Sequence, residues 1–352
     1  MAVKVGRVEF YAGPLDVGAP DDLEKVIVAF IDGAQKRLDI AVQELESEPI
    51  TRAIIRARKE RKATIKLVIE HDYLRTKRAL KDPWKSGGDN ERNREMHNAV
   101  LRSAIDIKPD YNTDIFHQKF VIRDRESVLT GSTNFTPTGV HKNLNHVVIV
   151  HDAEVAKTYG REFAEIRHGH FGKLNEGHDP APPDLKVSNV PIRILFAPDH
   201  NPEMEIMKQM LKVAHRVDFA IFTFSESSGI DDTMLKLLAL GIPVRGAFDE
   251  KQGAHSWAAI PRLKAAGAQL YGVPAGNGVG KLHHKLMVLD EQVVIAGSFN
   301  YTGPANRLND ENIIILGDLE TTSVAARKAQ TKIAQYALGE IDRIVSVHGD
   351  AI

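Results

Sequence analysis

The sequence predicts an α/β protein made of two homologous halves, each a mostly parallel mixed sheet flanked by helices. Three observations support this prediction. Apolar runs of strand length alternate with amphipathic runs of helix length, which is typical of α/β units. One polar pattern occurs twice, at corresponding places in two series of elements. A segment rich in Gly, Pro and Asp, residues 171–189, separates the two series and has the composition of a linker.

The first half begins with a predicted strand at residues 8–13 and continues as a regular alternation. The predicted order is a helix over 21–36, a strand over 37–45, a helix over 49–62, a strand over 63–70, and a short helix and strand over 98–110. Acidic residues stand at the positive end of the first helix, where they stabilise it. A helix over 153–169 closes this half.

The second half repeats this order. The predicted elements are a strand over 191–199, a helix over 202–216, a strand over 217–224, a helix over 231–241, a strand over 242–250, a short helix and strand over 260–273, and a closing helix over 321–345. We predict one half at 1–170 and the other at 190–352. Two such halves are expected to pack about a pseudo-twofold axis, with their repeated patterns face to face.

The repeated pattern is His-x-Lys-x-x-x-x-Asp, followed by Gly-Ser-x-Asn-x-Thr. Its polar members are His117, Lys119, Asp124, Ser132 and Asn134 in the first copy, and His283, Lys285, Asp290, Ser298 and Asn300 in the second. The two histidines lie 166 residues apart, so the repeat is the size of a domain. Because residues two apart share one face of a strand, His and Lys point the same way. This parity selects His283 over its neighbour His284.

The two aspartates have the opposite parity to the histidines. The residues between Lys and Asp are mostly apolar in both copies, which predicts a buried strand with two polar side chains at its beginning. We therefore predict that Asp124 and Asp290 stand at the strand end and fix a turn or a neighbouring side chain, without contacting substrate.

These motifs resemble the signature of the phospholipase D superfamily, and the resemblance covers most of the chain. It implies one active site assembled from both halves. It also implies that one histidine attacks phosphorus and forms a phosphohistidine, while the other protonates the leaving oxygen and later activates water. The symmetric motifs leave the choice of nucleophile open, but in larger members of the family the first motif supplies it, which points to His117.

The residue types of the motifs suit a phosphodiester. Negative charge grows on its non-bridging oxygens during the attack, and ammonium, hydroxyl and amide groups can stabilise that charge. We predict a phosphate cradle that consists of Lys119, Lys285, Ser132, Asn134, Ser298 and Asn300. The lysines take the place of a Lewis acid, so no metal ion and no cofactor are expected. The chain also has no cysteine and no HExxH pattern for zinc.

One difference between the halves bears on the histidines. Glu311 stands where many members of the family have an acidic residue that orients a motif histidine, whereas the first half has Asn145 there. A carboxylate bonded to Nδ1 fixes the tautomer of an imidazole and raises its basicity. Two interpretations stay open: drift in a loop, or a bias of the two histidines toward different roles.

The composition is that of an ordinary globular protein. The chain has 352 residues, 43% of them hydrophobic, and a formal net charge of −1. No global basic field indicates a nucleic acid, so any site for a polyanion must come from local clustering. Neither a signal peptide nor a membrane span is evident. We expect a cytoplasmic monomer, an internal pseudo-dimer, without stable membrane association.

The substrate is predicted from the loops that follow the strands. The first half has an insertion at residues 71–95 with basic and aromatic side chains, and the second half has a tryptophan in the corresponding loop. The predicted substrate-binding residues are Arg75, Lys77, Arg78, Trp84 and Trp257. Such side chains suit single-stranded nucleic acid, but acidic residues dilute the patch, and a solvated rim is the alternative.

Three functions are therefore open. The leading prediction is a metal-independent phosphodiesterase that cleaves nucleic acid, with single-stranded or double-stranded DNA as the expected polymer. It is favoured because the sequence has no apolar lid or amphipathic membrane-binding helix. The second is a phospholipase D or phosphatidyl transferase that acts on phospholipid. The third is a nucleic-acid-binding module with little turnover.

Overall fold

The computed structural model describes residues 2–175, 177 and 180–352, and its first half forms a sheet covered by helices. The strands of this half are β1 (Val3–Val5), β2 (Val8–Gly13), β3 (Arg37–Val42), β4 (Thr64–Glu70), β5 (Asp106–Asp110), β6 (Lys119–Arg123), β7 (Ser127–Gly131) and β8 (Asn143–Val150). Its helices are α1 (Leu23–Asp32), α2 (Glu48–Lys59), α3 (Glu91–Leu101), α4 (Pro137–His141) and α5 (Ala153–His168). The order across the sheet is β1-β2-β8-β7-β6-β3-β4-β5.

The second half repeats this architecture. Its strands are β9 (Leu185–Val187), β10 (Val190–Ala197), β11 (Val217–Ile221), β12 (Val244–Asp249), β13 (Gln269–Val273), β14 (Lys281–Leu282), β15 (Lys285–Leu289), β16 (Val293–Gly297), β17 (Glu311–Leu316) and β18 (Asp350–Ala351). Its helices are α6 (Pro202–Met210), α7 (Ile230–Ala239), α8 (Glu250–Gly253), α9 (Ile260–Ala265), α10 (Gly303–Arg307) and α11 (Val324–Val347). The order is β18-β13-β12-β11-β15-β16-β17-β10-β9, and β14 pairs with β8 of the first sheet. The strand β9 lies inside the segment predicted to be linker.

The strand polarity differs from the mostly parallel sheets that the sequence predicted. Parallel pairs join β3, β4 and β5 in one half and β11, β12 and β13 in the other. The motif strands are antiparallel to both neighbours: β6 to β3 and β7, and β15 to β11 and β16. The antiparallel pairing of β6 with β7 and of β15 with β16 follows from a tight turn after each motif strand, where Asp124, Arg125, Asp290 and Glu291 have positive φ. Such turns reverse the chain into a hairpin.

Two predicted helices end earlier than the sequence pattern indicated. The helix α1 ends at Asp32 and α6 ends at Met210, not at residues 36 and 216. In both halves the motif aspartate captures the backbone that follows. Asp124 accepts from the N–H groups of residues 35–37, at 2.7–2.9 Å, and Asp290 accepts from those of residues 214–216, at 2.8 Å. These N–H groups are therefore not available to extend the helices. The predicted role of both aspartates in fixing a turn is confirmed.

A core shared by both halves holds the two sheets together. The closing helices α5 and α11 contribute Tyr159, Phe163, Ile341 and Ile344 to one apolar cluster with strand residues of both sheets. The other helices of each half pack in separate outer clusters. Because the central cluster draws on both halves, burial of its apolar surface fixes the motif strands against each other.

Each half also inserts a short segment into the other where its motif begins. The strand β14 runs parallel to the start of β8, and the backbone N–H of His283 donates to Leu144 O at 2.9 Å. In the same way, the backbone N–H of His117 donates to Asp310 O, just before β17, at 3.0 Å. Each motif histidine therefore stands beside the strand of the other half that begins near Asn145 or Glu311.

Candidate active site

The motif histidines and lysines are buried side chains at the beginning of β6 and β15. His117 and His283 are 7% and 5% exposed, and Lys119 and Lys285 are 1% and 2% exposed. Each lysine Nζ donates to the backbone carbonyl of its own motif histidine, at 2.7 Å in the first half and 2.9 Å in the second. Strand parity is confirmed, because His284 instead faces α11, with Nε2 3.4 Å from Glu340.

Burial lowers the pKa values of all four groups, and neighbouring lysines lower those of the two histidines and Lys285 further. The pKa of His117 falls to about 4, mainly through burial, with Glu311 opposing and both motif lysines adding to the effect. The pKa of His283 is lowered by burial and then by Lys285 and Lys119. Burial also lowers the pKa of Lys119, to about 7, and that of Lys285. Since each histidine responds to the lysine of the other half, the two motifs form one electrostatic site.

Each histidine is oriented by a side chain from the opposite half. His117 Nδ1 lies 2.8 Å from Glu311 Oε2, and His283 Nδ1 lies 3.0 Å from Asn145 Oδ1. The Asn145 amide is fixed because its Nδ2 donates to Gly139 O at 2.9 Å. An amide oxygen only accepts, so His283 carries its hydrogen on Nδ1 and presents Nε2 to the site. The aligned carboxylate and amide therefore give the two histidines different partners, one charged and one neutral.

The two motif serines do not have the role that the predicted phosphate cradle gave them. Both are fully buried. The Ser132 hydroxyl donates to Asn145 Oδ1 at 2.8 Å, and the Ser298 hydroxyl donates to Glu311 Oε2 at 2.6 Å. Their hydrogens are therefore engaged with the groups that orient the histidines. This corrects the predicted direct contact with phosphate: the serines position the orienting side chains instead.

The motif asparagines keep bonding capacity. Both are partly exposed, and the Oδ1 atoms of Asn134 and Asn300 are buried without a hydrogen-bond partner in the part of the chain that the structure describes. Asn134 Nδ2 donates to Glu44 Oε2. Buried polar atoms are normally satisfied, so the two unsatisfied Oδ1 atoms are consistent with a place for a ligand. Their role in the cradle stays a prediction.

The glycine that precedes each serine is required by the close approach of the next strand. Gly131 and Gly297 have φ of +153° and +144°. A Cβ at either position would lie 2.3 Å from a backbone carbonyl oxygen, that of His146 or of Asn312. Only glycine fits at these two positions. The absence of a side chain lets β7 and β16 lie directly against β8 and β17, which carry the orienting side chains.

Three carboxylates of the site were not found from the sequence. Glu70 Oε2 accepts from Phe116 N at 2.6 Å, and Asp249 Oδ2 accepts from Leu282 N at 3.3 Å, so each holds the residue before a motif histidine. Both residues end corresponding strands, and this shared position is the signal that could have identified them. Glu44, next to Lys119, has a pKa raised to about 7 by burial, and no repeated pattern marks it because the second half has Thr223 there.

The predicted substrate-binding residues lie in loops at the carboxyl ends of β4 and β12, but not in one place. Arg75 and Lys77 line a pocket of about 570 Å³ with Gln43 and Ile115. Gln43 connects this pocket to the motifs, because its Oε1 accepts from Lys119 Nζ at 3.1 Å. Arg78 and Trp84 are exposed outside the pocket, and Trp257 stacks on His255 in the second half. The role of these residues in substrate binding stays a prediction.

One group of carboxylates could hold a cation. Oxygen atoms of Glu162, Glu165 and Asp199 lie within 4.8 Å of one another. None of the three is a motif residue, although Glu162 Oε1 accepts from Gln118 Nε2, next to Lys119, at 3.3 Å. Acidic groups of this kind are common without an ion, and we assign no metal to the site.

The lowered pKa values predict the pH dependence of catalysis. For the free enzyme, kcat/KM is expected to fall below about pH 4, as His117 takes up a proton, and above about pH 7, as Lys119 loses one. A bound anion favours the charged lysine, so the alkaline limb of kcat should lie at higher pH than that of kcat/KM. Profiles of both constants in one buffer series test this. A kcat/KM that is constant up to the ordinary lysine pKa of about 10 would contradict it.

Comparison with known proteins decides the family. A family model described as "Cardiolipin synthase, PLD-like domain" matches residues 27–167 and 206–333, which is most of the chain and both motifs. The chain belongs to the phospholipase D-like family. The resemblance inferred from the two motifs is thereby confirmed.

This phospholipase D-like protein matches only part of the length of each curated relative. A mitochondrial cardiolipin hydrolase of Xenopus laevis is 26% identical over 149 residues, which are 42% of this chain and 59% of that protein. The homologue of Xenopus tropicalis is 35% identical over 109 residues, 31% of this chain and 50% of that protein. A phospholipase D of Rickettsia felis is 28% identical over 140 residues, 40% of this chain and 62% of that protein. The matched regions thus span about half to three fifths of these relatives.

Two solved structures share the fold of this phospholipase D-like protein over nearly its whole length. Phosphatidylserine synthase of Haemophilus influenzae has a TM-score of 0.66 at 15% identity, covering 100% of this chain and 88% of that one. Polyphosphate kinase of Porphyromonas gingivalis has a TM-score of 0.62 at 10% identity, covering 98% of this chain and 48% of that one. At these identities the likeness concerns the fold, and it confirms the predicted arrangement of two α/β halves.

Proposed function

We propose that this protein is a phosphodiesterase that acts on phospholipids and transfers the phosphatidyl group to water or to an alcohol. One observation carries the proposal: two histidines from different halves, each oriented by the other half, share a buried site with two lysines. Phospholipid has more support as the substrate than the nucleic acid that the sequence first favoured, because the relatives are named cardiolipin hydrolase and phospholipase D.

In the proposed reaction, His117 is the nucleophile. Its Nε2 attacks phosphorus, and the ring becomes positively charged as the N–P bond forms. Glu311 at Nδ1 stabilises this charge, which the neutral Asn145 at His283 cannot do as well. The P–O bond to the head group breaks, and His283 gives its Nε2 proton to the departing oxygen. Lys119 and Lys285 stabilise the charge on the non-bridging oxygens.

The second step reverses these roles. His283, now neutral, takes a proton from water or from an alcohol, and the oxygen of that molecule attacks phosphorus. The P–N bond breaks and His117 is released. With water the products are phosphatidic acid and the free head-group alcohol, and with an alcohol the product is a new phospholipid. The acceptor alone therefore distinguishes a hydrolase from a phosphatidyl transferase at this site.

Substrate binding favours protonation of His283, the acid of the first step. In the free site, burial and the lysines lower the pKa of His283, which disfavours the proton that the first step needs. A phosphodiester brings a negative charge between the two lysines, and a nearby opposite charge favours the protonated imidazole. Protonation of His283 is therefore coupled to the arrival of an anionic substrate.

The proposal predicts phosphatidic acid formation that does not require an added divalent cation. Purified protein in EDTA is incubated with vesicles of phosphatidylcholine, phosphatidylglycerol or cardiolipin, and in parallel with labelled single-stranded DNA, double-stranded DNA and RNA. The variant His283→Asn serves as the control in each reaction. The expected result is histidine-dependent release of phosphatidic acid. Cleavage of a nucleic acid without any lipid product would contradict the proposal and support the nuclease that the sequence first favoured.

A further inference from the structure

The insertion between β4 and α3 has a fixed base and an exposed tip. At the base, Asn90 Nδ2 donates to the carbonyls of Asp72 and Arg75, both at 3.1 Å. Arg94 donates to the carbonyls of Asp89 and Gly87, both at 2.8 Å. The tip, residues 81–86, is exposed at every position. An exposed loop on a hydrogen-bonded base is a fixed projection of the fold.

Trp84 at the tip is the most exposed large apolar side chain of the described residues, at 96%. Its counterpart in the second half behaves differently. Trp257 is 41% exposed and stacks on His255, with ring centroids 4.8 Å apart. Within the described chain no ring contact or cation–π contact involves Trp84. Its indole is therefore exposed to solvent in the described structure.

The charge of the insertion is concentrated at the same place. Seven basic residues occur between positions 71 and 95, and four of them form ion pairs with acidic neighbours: Arg75, Lys85, Arg92 and Arg94. The other three, Lys77, Arg78 and Lys81, are exposed and form no ion pair with a residue that the structure describes. The positive charge that remains after pairing therefore lies just before Trp84.

The insertion also borders the approach to the active site. Tyr73, Arg75 and Lys77 line the pocket that reaches Gln43, the partner of Lys119. Ile115 also lines this pocket, is 47% exposed and stands two residues before His117. The base of the insertion, but not its tip, therefore lines the pocket that adjoins the active site.

We propose that residues 77–86 dock the protein on an anionic phospholipid surface. Trp84 enters the interface, where an indole is favoured, and Lys77, Arg78 and Lys81 contact lipid phosphates. A track for single-stranded nucleic acid would need several aromatic platforms for successive bases, whereas the tip has one. The aliphatic Ile115 at the mouth suits hydrocarbon and offers no stacking surface. The inference rests on the proposed function, since docking presents the site to its substrate.

The two tryptophans of the chain allow a direct test. The variant Trp257→Phe leaves Trp84 as the single fluorophore, and His283→Asn in the same chain prevents turnover. On titration with phosphatidylglycerol vesicles we expect a blue shift of the emission and quenching by brominated lipid. Phosphatidylcholine vesicles and oligothymidylate should produce little change. A shift with oligothymidylate and none with vesicles would overturn the proposal in favour of a nucleic-acid surface.

Matched charge variants complete the test. Replacing Lys77, Arg78 and Lys81 together by serine should weaken binding to phosphatidylglycerol vesicles by at least about tenfold. Replacing Lys208, Lys264 and Lys328, three exposed lysines elsewhere, removes the same charge and should change binding much less. Equal effects of the two triple variants would contradict docking through the tip.

The docking inference and the proposed function fail separately. If the active protein cleaves a short-chain phospholipid below its micelle concentration but does not bind vesicles, only docking is overturned. If the inactive variant binds vesicles and the active protein releases no phosphatidic acid from any phospholipid, the proposed function is overturned and docking stands.

Discussion

Replacing either motif histidine by asparagine is expected to reduce turnover by about 10⁴-fold or more, although the two residues lie in different halves of the chain. His117→Asn removes the nucleophile, and His283→Asn removes the group that protonates the leaving oxygen. Neither half holds both functions, because each histidine is oriented by a side chain of the other half. Turnover is measured as phosphatidic acid release at saturating substrate.

The neighbouring His284 provides a matched control for these variants. It is buried like the motif histidines but faces α11, and the first half has Gln118 at the corresponding position. The variant His284→Gln should therefore keep turnover within about tenfold of the parent. Thermal unfolding of all three variants separates loss of chemistry from loss of fold. Substantial turnover by His117→Asn or by His283→Asn would refute a single shared site.

Glu311→Gln is expected to lower kcat by about 10² to 10⁴-fold, the largest effect for a residue that does not contact substrate. The amide keeps the size of the side chain and a hydrogen-bond acceptor, but it removes the charge that stabilises the phosphorylated His117. The hydroxyl of Ser298, which donates to Glu311 at 2.6 Å, retains an acceptor in the variant. Single-turnover kinetics should place the loss in the step that forms the N–P bond.

The reciprocal variant tests whether the difference between the halves is functional. Asn145→Asp gives His283 a carboxylate partner, which raises the pKa of the imidazole and makes it a weaker acid. We expect a smaller loss of kcat than for Glu311→Gln, with the limb that reports loss of the His283 proton shifted to higher pH. Equal losses for both variants, without a pH shift, would favour the alternative that the Glu–Asn difference is drift.

Much of the site could be predicted because strand parity is a local property. Alternation of side chains along β15 distinguishes His283 from His284, and the same rule separates Asp290 from the histidine it follows. The structure places both aspartates where parity required, on backbone N–H groups that follow a helix. The element order was also predictable, because hydrophobic period and helix length are read directly from the chain.

The parts that could not be predicted depend on how the halves meet. Glu311 was recognisable as an orienting residue, but its contact with His117 crosses 194 positions and follows only from the packing of β17 against the first motif. The serine contacts depend instead on neighbouring strands within one half, since each hydroxyl donates to a side chain 13 positions further along the chain. Sheet polarity was predicted wrongly because the turn at Asp124, with its positive φ, was not recognised as a hairpin.

The interface with substrate was the least predictable feature. The absence of an amphipathic helix argued against a lipid surface, but a single tryptophan on a loop can serve the same purpose. Sequence alone does not distinguish Trp84, which is 96% exposed, from Trp257, which stacks on His255. The distinction depends on tertiary contacts, since Trp257 has a stacking partner and Trp84 has none among the described residues.

Trapping the covalent intermediate tests the central claim most directly. Protein is mixed with a phospholipid labelled in its acyl chains, quenched within the first turnover in denaturant at alkaline pH, where phosphohistidine survives, and digested for peptide mapping. The account predicts label on the peptide that contains His117, transient in the parent and absent from His117→Asn. Label on His283 instead, or phosphatidic acid release at full rate with no labelled histidine, would contradict the proposed transfer of the phosphatidyl group through His117.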